Sequence, residues 1–221
     1  MDINKILKEL AKRRPVFHSE HDFKFELAWQ IKSGHKNASI RLEYPYRLLG
    51  LESDQTQNDR YLDLFVQIDL NRFFIELKYL TAAISTSHKD ERFQLAKHGA
   101  YPNLSYNVIK DISRVEHSLG KQQTTKENES SAIGFVIVLT NDPVYRTPPG
   151  ENASYVNFSL YNERELNPEI LNWNGQFKAA DRCPPIKILG NYQFLWEDYS
   201  QIGETERGTF KVLVVPITAG S

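Results

Sequence analysis

Asp63, Glu76 and Lys78 are the residues whose types and spacing best suit chemistry. They lie in Tyr61-Leu-Asp-Leu-Phe-Val-Gln-Ile68, then Asp69-Leu-Asn-Arg72, then Phe73-Phe-Ile-Glu-Leu-Lys-Tyr79, which reads as two strands joined by a four-residue loop. With Ile68 facing Phe73, Leu62, Leu64, Val66 and Ile68 share a face with Phe73, Ile75, Leu77 and Tyr79. That face is apolar except for one phenol, so it must be buried, and its uniformity supports the register. The opposite face then sets Asp63 across from Lys78, with Glu76 on the diagonal at roughly 7–8 Å between backbones, within side-chain reach.

Two carboxylates and an ammonium beside an apolar layer suit phosphodiester hydrolysis, in which an oxygen nucleophile must approach an anionic phosphorus centre. Paired carboxylates can hold Mg²⁺, a hard ion that prefers oxygen ligands and keeps several waters. Lys78 would orient the attacking water or neutralise transition-state charge. The backbone carbonyl of Leu77 would point sideways from the same strand as a further ligand. The plainer alternative is a cross-strand salt bridge from Asp63 to Lys78, contributing about 0.2–1 kcal/mol. Spacing alone does not choose between them.

The elements that must hold these groups follow from periodicity. Ile3, Ile6, Leu7 and Leu10 mark one face of a short helix over residues 1–14, basic at its rim and ended by Pro15. Ser19 caps a second helix whose stripe is Phe23, Leu27 and Ile31 and whose end is Gly34. Glu20 falls at the N-terminal end of its core-facing side, where it either joins the acidic site or simply favours the positive end of the helix dipole. Ser39–Tyr44 alternates as a strand, and Gly50–Arg60 is polar and reads as a loop. Thr81–Gly99 is polar and reads as a flexible crossing with some helix. Leu104, Val108, Ile112, Val115 and Leu119 predict an amphipathic helix ended by Gly120, followed by an exposed loop over residues 121–130. Ala132–Thr140 is an apolar, β-branched run, expected as a strand covered on both faces. Short strands are expected at Tyr155–Leu160, Tyr192–Trp196 and Thr209–Pro216. Mixed helices and strands without a linker predict one α/β domain over residues 1–221, with a C-terminal β extension from about 150 to 216.

Composition narrows the classes. Lys and Arg total 27 against 28 Asp and Glu, so bulk charge cannot coat nucleic acid and any such contact must be local. One cysteine excludes an internal disulfide framework and a multi-Cys zinc site. The absence of a long apolar run or signal-peptide pattern makes a cytoplasmic protein with no membrane partner the expectation.

The helix-borne Glu20, strand-borne Asp63 and Glu76-Leu-Lys78 together resemble the PD-(D/E)XK nuclease superfamily. The chain is similar to a group of uncharacterised bacterial restriction-endonuclease-like proteins through further stretches. These are Phe17-His-Ser-Glu-His-Asp-Phe23, Tyr61-Leu-Asp-Leu64, Ile75-Glu-Leu-Lys-Tyr-Leu80, Lys110-Asp-Ile-Ser-Arg-Val-Glu116, Leu139-Thr-Asn-Asp-Pro-Val-Tyr145 and Leu195-Trp-Glu-Asp-Tyr-Ser200. The chain departs from that group at Asn107, where an Asp is usual, and at Arg146, where an aromatic is usual. The resemblance implies an αβββαβ core, a mixed sheet flanked by helices, with extra C-terminal strands. It implies a Mg²⁺ site, with Mn²⁺ able to substitute, at Asp63, Glu76, the Leu77 carbonyl and Glu20, with Lys78 catalytic. The implied activity is hydrolysis of nucleic acid, DNA ahead of RNA, and a homodimer would double a small basic lip. The alternatives are a non-catalytic nucleic-acid-binding or interaction module on the same scaffold, and an RNA-directed nuclease of a toxin or defence system.

Around the site, Arg114 either reaches a substrate phosphate or pairs with Asp111 one helical turn away. Lys89, Arg92 and Gln94, with His88, Lys97 and His98, form either a cationic lip or a solvated surface, since Asp90 and Glu91 dilute their charge. Tyr44, Tyr46, Tyr101 and Tyr106 serve base stacking or, more commonly, packing.

Overall fold

A computed structural model describes residues 1–49, 61–124, 131–175 and 182–218, with the side chains of 122–124 outside that description. Helix α1 (Ile3–Arg13) is capped by Asp2, whose carboxylate accepts the Lys5 N–H at 3.0 Å, and it buries Ile3, Ile6, Leu7 and Leu10. Helix α2 (Glu20–Gly34) starts at Ser19, whose hydroxyl accepts the Asp22 N–H at 3.2 Å, and it buries Phe23, Leu27 and Ile31. Strands β1 (Ser39–Pro45), β2 (Tyr61–Ile68) and β3 (Asn71–Leu80) follow, then a hairpin of β4 (Ile84–His88) and β5 (Glu91–Leu95). Helix α3 (Tyr101–Thr124) crosses over to β6 (Ala132–Thr140), which is parallel to β3. Beyond it come β7 (Arg164–Leu166), β8 (Glu169–Leu171), β9 (Ile186–Ile188), β10 (Tyr192–Phe194), β11 (Trp196–Gln201) and β12 (Thr209–Thr218).

The main sheet has the order β1-β2-β3-β6-β12-β11, antiparallel throughout except for β3–β6. The chain is therefore mixed α/β, a large mixed sheet flanked by a few helices. One apolar layer joins α1 and α2 to the sheet through Leu64, Val66, Ile75, Leu77 and Ile137. The other joins α3 and the C-terminal strands through Phe74, Ile112, Val115, Val136, Val138 and Leu213. β6 is covered on both faces, as its composition requires. A Cβ at Gly134 would stand 2.1 Å from Val115 Cγ1, so glycine is what lets α3 lie down on β6. Among the described residues no helix is long and apolar enough to cross a membrane.

Stretches beyond the hairpin fasten the sheet. Thr140 Oγ1 donates to the Leu80 carbonyl at 2.5 Å, and Asn141 Oδ1 accepts the Ala82 N–H at 2.8 Å, locking the ends of β3 and β6 together. The Glu116 carboxylate accepts from Leu189 N–H, Gly190 N–H and the Tyr192 hydroxyl, pinning the turn before β10 to α3. Tyr199 and Ser200 hydroxyls donate to the carbonyls of Arg14 and Pro15, tying β11 to the link between α1 and α2.

Several expectations need correction. The β2–β3 hairpin pairs Ile68 with Asn71 rather than Phe73, across a two-residue Asp69-Leu70 turn in which Asp69 takes a φ of 53°. The shift is two residues, so side-chain parity survives. Leu62 leaves its expected face and packs in the α3-side layer, because β2 diverges from β3 beyond the Leu64–Ile75 pair. Thr81–Gly99 contains no helix: Phe93 and Leu95 alternate inward on a β-hairpin. Gly120 does not end α3, whose helical backbone continues to Thr124. Val156–Phe158 is a 3-10 turn where a strand was expected. The expected loops at Gly50–Arg60 and 125–130 lie outside the described residues.

Candidate active site

The site forms where the sheet splits. β3 remains paired with β6 as far as Leu80–Thr140, but its ladder to β2 stops at Leu64–Ile75. The β1–β2 ladder skips one step at the same level: Leu42–Leu64 and Tyr44–Leu62 pair, and Glu43, between them, takes a φ of 49°. Beyond the split, backbone donors of β3 need new partners. Asp63 Oδ2 accepts the Leu77 N–H at 2.7 Å, and Glu20 Oε2 accepts the Tyr79 N–H at 2.9 Å. Two carboxylates thus stand along one strand edge, their contacts about 7 Å apart at ~3.3 Å per residue.

Glu76 faces the α3 side and is 2% exposed; Asp63 is 8% exposed. The two carboxyls are within hydrogen-bonding reach of each other. The Tyr46 hydroxyl donates to Glu76 Oε1 at 2.5 Å, and Arg114 Nη2 lies 3.7 Å from the same oxygen. Lys78 Nζ lies 3.0 Å from both the Leu77 carbonyl oxygen and Asp111 Oδ2. Arg114 pairs directly with Asp111 across one helical turn and lies over the Tyr46 ring at 5.5 Å. Lys24, 6% exposed, reaches from α2 to Asp63 Oδ1 at 2.5 Å and also pairs with Glu43.

These surroundings set the charges. Burial drives the Glu76 carboxyl up; Arg114 and Lys78 oppose it, Asp63 reinforces it, and it comes to about 7. Burial also works to raise Asp63, but Lys78, the hydrogen bonds from Glu76 and Lys24 and the Leu77 N–H outweigh it, leaving Asp63 below the ordinary carboxylate value. Burial works to lower the Lys24 ammonium, and its two carboxylates outweigh that and raise it. Burial holds the Tyr46 phenol well above its usual range, with Glu76 adding to it, so it remains a donor. At neutral pH Asp63 is ionised and Glu76 is poised to lose its proton.

The structure brings Asp63, Glu76, Lys78 and Arg114 together. Arg114 is turned inward to Asp111 and Glu76, the plainer of its two expected roles. Glu20 stands at the neighbouring step of the strand edge. Lys89, Arg92 and Gln94 lie on the separate β4–β5 hairpin, all exposed. Tyr101 packs against Tyr145, Tyr106 against Phe158 and Trp173, and Tyr44 stacks on Phe65. Sequence reasoning missed Lys24, Glu43 and the inward role of Tyr46. Lys24 borders the Phe23–Leu27–Ile31 stripe, on the same side of the helix as Ile31, which is the faint signal it offered.

Among the described residues no group of three or more His, Cys, Asp or Glu is arranged to hold a metal ion. Asp63 and Glu76 by themselves offer two hard-oxygen donors, with the Leu77 carbonyl on the same strand. Mg²⁺ needs only one or two carboxylates and retains water in its other positions. Two carboxyls in contact also need a proton or a cation between them. By donor chemistry the pair fits such an ion.

A scan of protein-family models, a search of curated proteins and a search of solved structures each found no match to the chain.

Proposed function

We propose that the protein is a divalent-metal-dependent phosphodiester hydrolase, a DNA endonuclease of the PD-(D/E)XK type. The observation that carries this reading is the meeting of Asp63 and Glu76 where β2 parts from β3, with Lys78 on the Glu76 strand two residues on. The order α2, β1, β2, β3, α3, β6, read with the β4–β5 hairpin between β3 and α3 as an insertion and with β6 parallel to β3, supports this reading, since the sequence resemblance implies an αβββαβ core. Asp63, Glu76 and the Leu77 carbonyl would hold Mg²⁺, with Glu20 contributing through water. Bound there, the ion supplies charge neutralisation at the phosphoryl oxygen and a more acidic water. Glu76 gives up its proton as the site fills. The Lys78 ammonium, oriented by Asp111, holds the attacking water and offsets charge building on phosphorus. Arg114 keeps Asp111 and Glu76 in place.

One observation favours a second reading, a metal-free binding module. Lys24 and Arg114 already set positive charge against Asp63 and Glu76. Cleavage of labelled DNA in Mg²⁺ separates the two readings. Wild type is expected to cut, and Asp63→Ala and Lys78→Ala, folded by circular dichroism, are expected to lose cutting. Equal cutting by all three, or none by wild type on any nucleic acid, removes the first reading.

A further inference from the structure

The Lys24 ammonium occupies the position that an ion at Asp63 would need. Asp63 Oδ2 is committed to the Leu77 N–H at 2.7 Å, so the oxygen left for an ion is Oδ1, and Lys24 Nζ already lies 2.5 Å from it. The same ammonium donates to Glu43 Oε1. Glu43 stands on β1 between the Leu42–Leu64 and Tyr44–Leu62 pairs, which sets it against Asp63 across the two strands. Two carboxylates facing each other across a ladder repel, and Lys24 is the charge between them. The three side chains differ in access: Lys24 is 7% exposed and Asp63 11%, but Glu43 is 51% exposed. The bridge therefore has a buried end at the site and an open end in solvent.

An ion arriving at Asp63 Oδ1 must displace this ammonium, and what the displaced group meets decides the cost. A buried ammonium left without a partner, beside a divalent ion, is strongly unfavourable. Lys24 escapes that because Glu43 already accepts from it: the bond to Asp63 is given up and the charge-assisted bond to Glu43 is kept. The flexible four-carbon stem lets Nζ shift towards the open end while the helix stays in place.

We infer that Glu43 is a positioning residue of the metal site, which receives the Lys24 ammonium when a divalent ion takes Asp63. The site fills by exchange of one cation for another. This deepens the proposed function and rests on it. Glu43 acts through Lys24, so its influence on the ion depends on the ammonium being there. Direct ligation by Glu43 is the rival, and it gives an influence that persists without Lys24.

The test is a double-mutant cycle in Mn²⁺ affinity, measured by calorimetry at pH 8 on the full chain with Glu43→Gln, Lys24→Met and the two combined. Glu43→Gln keeps the side-chain length and an acceptor oxygen and removes the charge. Circular dichroism and melting in chelator check that each variant folds. In the wild-type background Glu43→Gln is expected to weaken Mn²⁺ binding about tenfold or more, because the ion must then strip Lys24 of its last carboxylate. In the Lys24→Met background the same change is expected to weaken binding about threefold or less, the effect of losing a half-exposed, screened charge nearby. Glu43→Asp, which keeps the charge, is expected to recover most of the affinity that Glu43→Gln loses. Loss by the same factor in both backgrounds makes Glu43 a ligand or a bare field charge and overturns the inference, as does unchanged affinity in the wild-type background. Absence of Mn²⁺ binding by wild type removes the metal site and the exchange with it. Binding by wild type with an additive cycle removes the exchange alone, so the two failures are distinguishable.

Discussion

Asp63 accepts a hydrogen bond from the backbone N–H of Leu77 at 2.7 Å, taking the place of a strand where β2 has left β3. The bond fixes this carboxylate beside the one residue in the neighbourhood, Glu76, whose proton is loosely held near neutrality. Asp63 thus both seals an open sheet edge and supplies charge to the site, and its two roles can be separated by substitution. Asp63→Asn retains an acceptor for Leu77 and loses the charge. Asp63→Ala loses both and should destabilise the fold by about 1–3 kcal/mol more, as judged by urea denaturation.

Lys24 is a tethered cation where a metal ion would compete for Asp63. Lys24→Met keeps much of the buried stem and removes the ammonium. Its expected effects are tighter Mn²⁺ binding by several-fold in calorimetry and lower stability without metal, because Asp63 is left with one fewer partner. Weaker Mn²⁺ binding would show that the ammonium supports the site rather than competing for it.

Glu76 makes the site pH-dependent with a definite sign. Its folded value is about 7 against an ordinary 4.5, so folding favours the protonated form. That contribution is fully present below pH 4.5 and lost as pH rises to about 7, amounting to about 3 kcal/mol. Asp63 works oppositely, its contribution present above its ordinary value of 3.8 and lost only as pH falls through its lowered one. Metal affinity should climb about tenfold per pH unit up to about 7 and then level off, since the ion must displace the Glu76 proton. Calorimetry at a series of pH values checks this, and a flat profile would contradict it.

Tyr46 donates to Glu76 and stabilises its charged form. Tyr46→Phe should shift the metal-affinity profile towards higher pH and reduce stability above pH 7 by about 1 kcal/mol. An unmoved profile would mean that the hydroxyl serves packing alone.

Gly134 lies under α3 with no room for a methyl group. Gly134→Ala should cost about 1–3 kcal/mol, read as a lower urea midpoint with an unchanged slope.

The faces of the hairpin were legible because an even register shift preserves parity: moving the partner of Ile68 from Phe73 to Asn71 leaves Leu64, Val66 and Ile68 on the same face as Phe73, Ile75 and Leu77. Amphipathic stripes located α1, α2 and α3, and an apolar run located β6. What local patterns could not show is where β2 lets go of β3, since that depends on the backbone at Glu43 and on side chains from three elements. Lys24 and Tyr46 reach the site only through that tertiary arrangement. The β4–β5 hairpin had a signal in the alternation around Phe93 and Leu95, but its short polar strands hid it. Gly120 marks a helix end by propensity alone, and α3 continues through it.

The claim that Asp63 and Glu76 grip a divalent ion meets its most direct test in Mn²⁺ titration of the wild-type chain and Asp63→Asn, followed by melting temperature at pH 8. The account predicts a rise for wild type that grows with the logarithm of Mn²⁺ concentration, about 2.7 kcal/mol at a hundredfold excess over the dissociation constant, and none for Asp63→Asn. A flat response in both proteins, or the same rise in both, would contradict it.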